Sequence, residues 1–356
     1  MVGTGSSNKQ DSSENGIYPF FVRSKYIQKH DSYEYDEEAI IIPGEGGIGE
    51  IFHYINGKYA LHQRVYRIHI IEKYISTKFV YYYMFSNFKR YILGKAVSAT
   101  VTSIRKPMIE KFEIPLPPIT IQEKIVEILD KFTSLEAELE AELEARRKQY
   151  EYYREKLLTF SPEEVEYRQL GEVCKSICSG GTPKTTKPEY YNGTIPWLRT
   201  QEVDWNDIID TSLKISYEGL RNSSAKMIPV NCVIVAMYGA TAAKVAINKI
   251  PLCTNQACCN LEIDDKIALF RYVYHWLCKE FENLKALGEG SQHNLNAQKI
   301  KNYPIPLPPI NVQEKIVEIL DKFTSLETEL ETELEARRQQ YEYYREKLLT
   351  FKRKTV

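Results

Sequence analysis

The chain has 356 residues, of which 43% are hydrophobic and 12% aromatic, enough apolar material for two globular domains. No run of about eighteen apolar residues occurs, which excludes a membrane-spanning helix, and the polar N-terminal residues lack the apolar core of a signal peptide. All seven cysteines lie between Cys174 and Cys278 without zinc-ligand spacing. We therefore expect reduced thiols in a cytoplasmic protein and no metal site.

The formal net charge of −1 hides an uneven distribution. Residues 1–120 carry a net charge of +3 and residues 161–311 are neutral, whereas residues 121–160 and 312–351 carry −3 and −4. Two acidic segments thus mask segments that are neutral to basic. The overall charge neither requires nor excludes binding to nucleic acid.

The first segment alternates short apolar runs with turns, which predicts a β-rich domain. We expect a flexible turn at the glycine-rich loop 43–49, which is not a phosphate-binding loop because no Gly-Lys-Ser/Thr follows it. The predicted strands span residues 18–22, 39–42, 51–55 and 65–71, and the predicted helix spans residues 76–93.

The segment that follows occurs twice. Residues 112–160 and 303–351 are related by a constant offset of 191, and 42 of their 49 positions are identical. Apolar residues recur at alternating steps of three and four, which predicts one long helix of roughly 60 Å in each copy.

Local signals indicate where each long helix begins. Pro117 and Pro118 prevent an earlier start, and Thr120 with Glu123 has the spacing of a capping box. We assign the stripe that includes Tyr150, Tyr153, Tyr341 and Tyr344 to helix packing.

A helix this long needs a partner. It could dimerise with another chain, or the two copies could pack on each other. We favour an intramolecular antiparallel pair, because a parallel pair would force the intervening segment to return along the whole helix.

The second globular segment repeats the landmarks of the first. Gly46 and Gly239, like Gln63 and Gln256, are related by an offset of 193. We predict strands at residues 173–177, 195–198, 232–237 and 244–247, and a helix at residues 270–287. Similar spacing with divergent residues indicates two domains of one fold that perform different versions of one task.

This order of divergent domain and near-identical long helix resembles the specificity subunit of type I restriction-modification enzymes. The motifs that carry the resemblance are IPLPPI-x-x-QEKIV-x-ILD, ELEAELEARR and YEYYREKLL, together with SGGTPKTTKPEYYNGTIPWLRTQEV and VIVAMYGATAAKVAINKIPLCTNQA. The resemblance covers nearly the whole chain.

The resemblance implies an α/β fold with two mixed α+β target recognition domains. Two long helices, packed as an intramolecular antiparallel coiled coil with pseudo-two-fold symmetry, would separate them. The expected boundaries are 1–117 and 161–308 for the recognition domains and 118–160 and 309–356 for the helices.

The resemblance also implies a non-catalytic subunit. Each recognition domain would read one half of a split sequence in double-stranded DNA, and the helices would set the spacing and dock two methyltransferase subunits. S-adenosylmethionine would belong to the methyltransferase, and ATP and magnesium to the restriction and translocation subunits. The sequence contains no methyltransferase or Walker motif of its own.

One departure from the family pattern concerns the first domain. An offset of 177 aligns Met1 with Cys178, so that the first domain would lack the stretch equivalent to residues 165–179. We therefore expect the first domain to lose an element of its sheet.

The candidate DNA-contacting residues lie on predicted turns and strand ends and have the side chains that read bases or bind phosphates. Gln63 and Gln256 could equally be buried amides that support the core. The candidates in the first domain are Arg23, Lys25, Glu45, His62, Gln63, Arg64, Arg105 and Lys106. The candidates in the second domain are Lys184, Arg199, Gln201, Tyr238, Thr241, Lys244, Asn255, Gln256, His293 and Asn294.

An alternative of a different class is a coiled-coil scaffold or regulator with two ligand-sensing domains and no DNA specificity. Only a DNA-reading subunit would show an affinity for DNA that falls steeply with salt.

Overall fold

The computed structural model describes residues 1–95, 103–288 and 294–352. The chain forms two compact units. The first unit comprises Met1–Ala141 and Glu331–Val356, and the second comprises Glu142–Leu330. None of the helices in the described ranges is long and apolar enough to cross a membrane.

The first unit is built on one six-stranded sheet with strand order β1-β6-β4-β5-β2-β3. Its strands are Val2–Thr4 (β1), Tyr18–Phe21 (β2), Gln28–His30 (β3), Tyr35–Pro43 (β4), His53–Leu61 (β5) and Val65–Ile68 (β6). Its helices before the first long helix are Thr77–Lys95 (α1) and Lys106–Glu110 (α2).

Helix α1 packs on the sheet of the first unit and encloses the main core of that unit. Ser76 starts it, since the hydroxyl of Ser76 accepts a hydrogen bond from the N–H of Phe79 at 3.3 Å. Its buried face carries Val80, Met84, Phe88 and Ile92, which meet Ile40 of β4. The four-residue spacing of these side chains explains why this segment is helical.

The second unit contains three sheets, with strand orders β10-β14-β13-β16-β8, β11-β9-β15-β12 and β17-β7. Its strands are Glu166–Gln169 (β7), Cys174–Ser179 (β8), Ile195–Leu198 (β9), Asp207–Ile208 (β10), Leu213–Ile215 (β11), Met227–Ile228 (β12), Val233–Ala236 (β13), Val245–Asn248 (β14), Leu252–Thr254 (β15), Cys258–Ile263 (β16) and Pro304–Leu307 (β17). Its shorter helices are Tyr217–Arg221 (α4), Phe270–Lys279 (α5), Phe281–Ala286 (α6) and Ala297–Lys301 (α7).

The helix predicted at residues 270–287 is interrupted at Glu280, which separates α5 from α6. Glu280 is buried, and its carboxylate accepts hydrogen bonds from Tyr303 at 2.7 Å and from Asn283 at 2.8 Å. The prediction of one continuous helix was therefore wrong. The spacing of apolar residues could not show that Tyr303, which is distant in sequence, binds the Glu280 carboxylate where the helix is interrupted.

The repeated segments form two helices of 39 residues each, Ile119–Leu157 (α3) and Ile310–Leu348 (α8). Helix α3 begins earlier than the predicted cap Thr120, because the carbonyl of Pro118 already accepts the N–H of Ile121 at 2.8 Å. Thr120 therefore lies inside the helix, and its assignment as an N-cap was wrong.

A glutamine side chain fixes the start of each long helix. In the first unit Gln122 accepts the N–H of Ser76 at 2.9 Å and donates to the carbonyl of Pro117 at 2.8 Å. In the second unit Gln313 accepts the N–H of Leu269 at 3.0 Å and donates to the carbonyl of Pro308 at 2.9 Å. The two units therefore attach their long helices by the same bonds.

Within each unit the long helices run antiparallel. In the first unit Phe132 stacks on Tyr344 with ring centres 5.5 Å apart, and the later Glu136 pairs with the earlier Arg338 at 2.7 Å. In the second unit Tyr153 stacks on Phe323 at 5.3 Å. These contacts confirm the predicted antiparallel pairing within one chain and the assignment of these tyrosines to helix packing.

The central strands of the two units correspond, but strand β5 of the first unit is divided in the second. In the first unit β5 is continuous through Gly57, whose φ is +130°. In the second unit the equivalent residues form the separate strands β14 and β15, with Pro251 between them. Proline supplies no N–H for a ladder, which explains the interruption.

The predicted loss of a sheet element in the first unit needs correction. Strand β1 pairs with β6, with Val2 opposite Ile68, just as β8 pairs with β16, with Ile177 opposite Leu261. Val2 therefore occupies the place of Ile177, an offset of 175 rather than 177. The sheet position is filled, and the difference is that residues 113–116 form no strand where β17 pairs with β7.

Candidate nucleic-acid interface

In the first unit three predicted residues meet where strands β2, β4 and β5 end. Glu45 accepts a bond from Arg23 at 2.7 Å and lies 3.2 Å from Arg64. Bonds from Arg23 and then Arg64 lower the pKa of the Glu45 carboxyl. One carboxylate thus organises two exposed guanidinium groups.

His62 and Gln63 belong to the same corner of the sheet but differ in exposure. His62 is buried, its Nδ1 accepts the N–H of Arg64 at 3.0 Å, and burial lowers its pKa. Gln63 is exposed and donates to the side chain of Asn8 at 2.6 Å. The interpretation of Gln63 as a buried amide was therefore wrong, and His62 lies beneath the surface that Arg64 and Gln63 present.

The glycine-rich loop forms the predicted turn and brings a further arginine to this corner. Gly46 and Gly47 have φ values of +77° and +98°, which favour glycine. The carbonyl of Gly44 accepts the N–H of Ile104 at 2.7 Å, so the exposed Arg105 follows directly.

The other basic candidates of the first unit are exposed but separate from the Glu45 pairs. Lys106 lies 3.6 Å from Glu110 on its own helix. Lys25 lies over the ring of Tyr26 at 5.1 Å.

In the second unit two neighbouring turns bring predicted residues together. Arg199 and Gln201 border and occupy the turn Thr200–Glu202, and the hydroxyl of Thr241 donates to the carbonyl of Thr200 at 2.9 Å. Arg199 donates to Ser212 at 3.4 Å, and its Nε is buried without a partner. Gln201 is exposed.

Tyr238 and Lys244 flank the second of these turns. Tyr238 precedes Gly239, whose φ is +81°, and its side chain is exposed. Lys244 pairs with Asp204 at 2.5 Å. Asp204 was not among the predicted residues, and only the fold brings it to Lys244.

Asn255 and Gln256 follow strand β15 as His62 and Gln63 follow β5. The N–H of Asn255 donates to Leu198 at 2.9 Å, as the N–H of His62 donates to Phe21 at 3.0 Å. Gln256 is exposed and accepts a bond from Thr182, so its interpretation as a buried amide was also wrong. Lys184 is exposed on the same turn as Thr182.

The last two candidates are partly defined. His293 lies outside the described residues. Asn294 is exposed, and the N–H of the next residue, Leu295, donates to Met237 at 2.8 Å. This bond matches the one from Ile104 to Gly44, so Asn294 lies beside the turn that begins at Tyr238.

Within the described ranges no group of three histidine, cysteine or acidic residues could hold a metal ion. Each unit instead presents arginine, lysine and amide side chains on turns at the ends of strands. These are the groups that bind phosphates and base edges in DNA.

The long helices also carry exposed apolar side chains. The sequence predicted no particular residues for this surface. Ile128 and Ile319 are 39% exposed at equivalent positions of α3 and α8, and Tyr152 and Tyr343 are 59% exposed. Single exposed apolar residues are common on protein surfaces, but these recur at equivalent positions of both long helices. Their presence in both copies of a near-identical repeat was the available signal.

Comparison with known proteins identifies the class. The family model for the type I restriction modification DNA specificity domain matches residues 2–145 and 162–337. A type I restriction enzyme specificity subunit from Escherichia coli is 36% identical over 290 residues, covering 77% of this chain and 70% of that protein. Another such subunit from the same species is 33% identical, covering 54% of this chain and 52% of that protein.

Solved structures agree on the fold. The S subunit of a type I restriction-modification system from M. genitalium has a TM-score of 0.72 at 17% identity, covering 99% of this chain and 94% of that one. The predicted combination of mixed α/β recognition domains with long helices is thereby confirmed.

The family match and the relative from Escherichia coli thus define the class as a DNA sequence-recognition subunit, which is not itself an enzyme. This chain belongs to the family of type I restriction-modification DNA specificity subunits. The prediction of a non-catalytic specificity subunit is confirmed, and the scaffold alternative is not favoured.

Proposed function

We propose that each unit reads one half of a bipartite target in double-stranded DNA, with the recognition domains at residues 1–117 and 161–308. The observation that carries this proposal is the equivalence of the two polar clusters. The same backbone bonds hold His62 and Asn255, yet the side chains that they present differ. Two different readers on one scaffold are what an asymmetric split sequence requires.

Within this proposal the candidate residues divide into two roles. Arg23, Arg64 and Lys244 would bind phosphates, because each is a cation whose carboxylate partner can be exchanged for DNA. Gln63, Gln201 and Gln256 are exposed amides suited to reading adenine. The remaining candidates would support these two groups, and they are Lys25, Glu45, His62, Arg105, Lys106, Lys184, Arg199, Tyr238, Thr241, Asn255, His293 and Asn294.

We propose that the long helices, residues 118–160 and 309–356, set the distance between half-sites and dock two methyltransferase subunits. The exposed apolar positions support two equivalent docking surfaces, one with Ile128 and Tyr343 in the first unit and one with Ile319 and Tyr152 in the second. Identical surfaces predict identical partners, whereas the divergent domains predict different DNA sequences.

In the assembled system this chain would bind no cofactor itself. S-adenosylmethionine would be held by the methyltransferase subunits, and ATP with magnesium by the restriction and translocation subunits. The seven cysteines are all free thiols, which supports a reducing, cytoplasmic setting for that complex.

Methylation mapping tests the proposal. The chain is co-expressed with its methyltransferase subunit, and methylated adenines are mapped across the host genome by long-read sequencing. A bipartite motif with a methylated adenine in each half is the expected result. A complex that forms but produces no sequence-specific methylation would contradict it.

A palindromic motif built from one half-site would contradict the part of the proposal that concerns the first unit. The matched variants are Gln63→Ala and Gln256→Ala, since each replaces an exposed amide at the same position of its unit. We expect each variant to relax the sequence of one half-site and leave the other unchanged.

A further inference from the structure

Trp205 is an exposed tryptophan in an unusual backbone conformation. Its φ is +52°, in the left-handed region that bulky side chains rarely adopt. Its side chain is 41% exposed, whereas Trp197 and Trp276 in the same unit are 4% and 5% exposed. A strained backbone at a residue whose side chain lies outside the core indicates a function at the surface.

The surroundings hold this ring outward. The carbonyl of Trp205 accepts the hydroxyl of Tyr274 at 2.7 Å, which fixes the strained backbone through a buried side chain. The ring of Phe281 packs at 75° to the ring of Trp205, with centres 5.2 Å apart. These contacts hold the indole in place while its side chain stays 41% exposed.

Positive charge surrounds the aromatic pair. The amine of Lys244 lies 4.2 Å from the centre of the Trp205 ring, and the amine of Lys285 lies 5.1 Å from the centre of Phe281. Lys244 also pairs with Asp204 at 2.5 Å. An exposed ring flanked by two cations suits a groove of double-stranded DNA, which offers the apolar methyl group of thymine beside the phosphates.

The ring also adjoins the polar cluster of the second unit. Trp205 follows the turn Thr200–Glu202 by three residues, and Thr241 bonds to that turn at 2.9 Å. The N–H of Lys244 in turn donates to Thr241 at 2.9 Å. One short network therefore holds Trp205, Lys244 and Gln201 on adjacent turns.

We propose that Trp205 is a DNA contact of the second unit that packs on a thymine methyl group in a groove of its half-site, while Lys244 exchanges Asp204 for the adjacent phosphate. This inference rests on the proposed reading of DNA by that unit. It adds an apolar contact to a surface otherwise made of amides and cations, and it gives a reason for the strained backbone.

The test uses the complex of this chain with its methyltransferase subunit and a duplex that contains the motif found by methylation mapping. We expect Trp205→Ala to raise Kd by about tenfold, as loss of one good base-edge contact does, and Trp205→Phe to retain most of the affinity. The salt dependence of binding should stay unchanged in Trp205→Ala, because no phosphate contact is lost. Lys244→Ala should reduce its slope by about one.

Photocrosslinking supplies a readout that packing alone would not change. Duplexes with 5-iododeoxyuridine at successive positions of the second half-site are irradiated in the complex, and the adduct is located by mass spectrometry. We expect an adduct on Trp205 at one or two positions. Val230→Ala is the control. Val230 is also an exposed apolar residue, but it precedes β13, whereas the turn that begins at Tyr238 follows this strand.

The outcomes separate the two proposals. If the wild-type complex fails to bind its motif specifically, the proposed function fails. If the wild-type complex binds but Trp205→Ala binds equally well and no adduct forms, this inference alone is overturned. It is also overturned if the affinity of Trp205→Ala falls only in proportion to lost thermal stability, with no adduct on the tryptophan in the wild type.

Discussion

The carboxylate of Asp321 lies 2.6 Å from Nε2 of His275, and the carboxylate of Asp130 lies 2.6 Å from the hydroxyl of Tyr82. Asp321 and Asp130 occupy the same position of the two long helices, whereas His275 and Tyr82 occupy equivalent positions of α5 and α1. Each of the repeated helices thus carries an aspartate at the same position. The side chain that bonds to this aspartate differs between the two domains, because it is a histidine in the second unit and a tyrosine in the first.

The geometry around His275 defines its protonation. Tyr150 lies 3.0 Å from Nδ1, so a neutral imidazole that donates from Nε2 to Asp321 accepts the Tyr150 hydroxyl on its other side. Burial lowers the pKa of His275 and outweighs the opposing effect of Asp321. Burial alone would raise the pKa of Asp321, but bonds from His275 and Arg271 lower it.

The first prediction compares the two carboxylates. Asp321→Ala leaves Nε2 of the buried His275 without its partner and removes one of the two carboxylates that pair with Arg271, the other being Asp207 at 3.0 Å. We therefore expect a loss of about 2 kcal/mol or more of unfolding free energy. Asp130→Ala should cost about 1 kcal/mol, because the partly exposed Lys78 can be solvated. Denaturant titration with hydrogen exchange of α5 and α1 peptides measures both. Equal losses would contradict the argument.

The second prediction concerns pH. The pKa of His275 in the folded protein lies below the ordinary value of 6.5, so the unfolded chain takes up a proton first as pH falls. The stability that neutral His275 contributes is therefore fully present above about pH 6.5 and is lost progressively below it. Hydrogen exchange of α5 between pH 7 and pH 5 should show this loss. His275→Gln should flatten the dependence in α5 and leave that of α1 unaltered.

The third prediction concerns the glutamines at the starts of the long helices. Gln313→Leu keeps the volume but leaves the N–H of Leu269 and the carbonyl of Pro308 without their partner. We expect a loss of about 2 kcal/mol, the cost of leaving buried polar groups unpaired. Gln122→Leu should cost a similar amount in the first unit. Thermal unfolding measures the effect, and a neutral substitution would show that these bonds are dispensable.

The fourth prediction concerns the charge balance around Glu45. Its carboxyl, whose pKa is lowered by Arg23 and Arg64, is ionised at neutral pH and partly neutralises both cations. Glu45→Gln should therefore tighten non-specific DNA binding by the complex and steepen its salt dependence. Arg64→Ala should reduce the slope of that dependence by about one. If the salt dependence of DNA binding is the same in both variants and in the wild type, these residues do not lie on the DNA-binding surface.

The fifth prediction concerns the spacer. Inserting one Glu-Ala-Glu-Leu unit into a long helix adds ~6 Å and rotates its end by about 40°, close to the twist of one base pair. We expect the gap between the half-sites to change by one base pair, read by methylation mapping. A variant with the added unit and the original gap would show that the helices do not set the spacing.

The sequence by itself predicted the long helices, their antiparallel pairing and the class of protein. The near-identical repeats and the periodic apolar residues are local signals, and each occurs twice. The antiparallel pairing followed because a parallel pair would force the intervening segment to run back along the whole helix. The sequence also predicted β2, β4, β5 and β6 of the first unit and β8, β9, β13 and β14 of the second, since these strands contain short apolar runs bounded by turns, but it missed the other strands of both units.

The tertiary structure decided which distant side chains meet. Glu45 with Arg23 and Arg64, and Asp321 with His275, are contacts between residues 19 to 46 positions apart, and no local pattern encodes them. His62 is buried whereas its neighbour Gln63 is exposed, although both lie in the turn between β5 and β6. The left-handed backbone of Trp205 likewise depends on a hydroxyl from Tyr274, because a strained conformation persists only where surrounding contacts hold it.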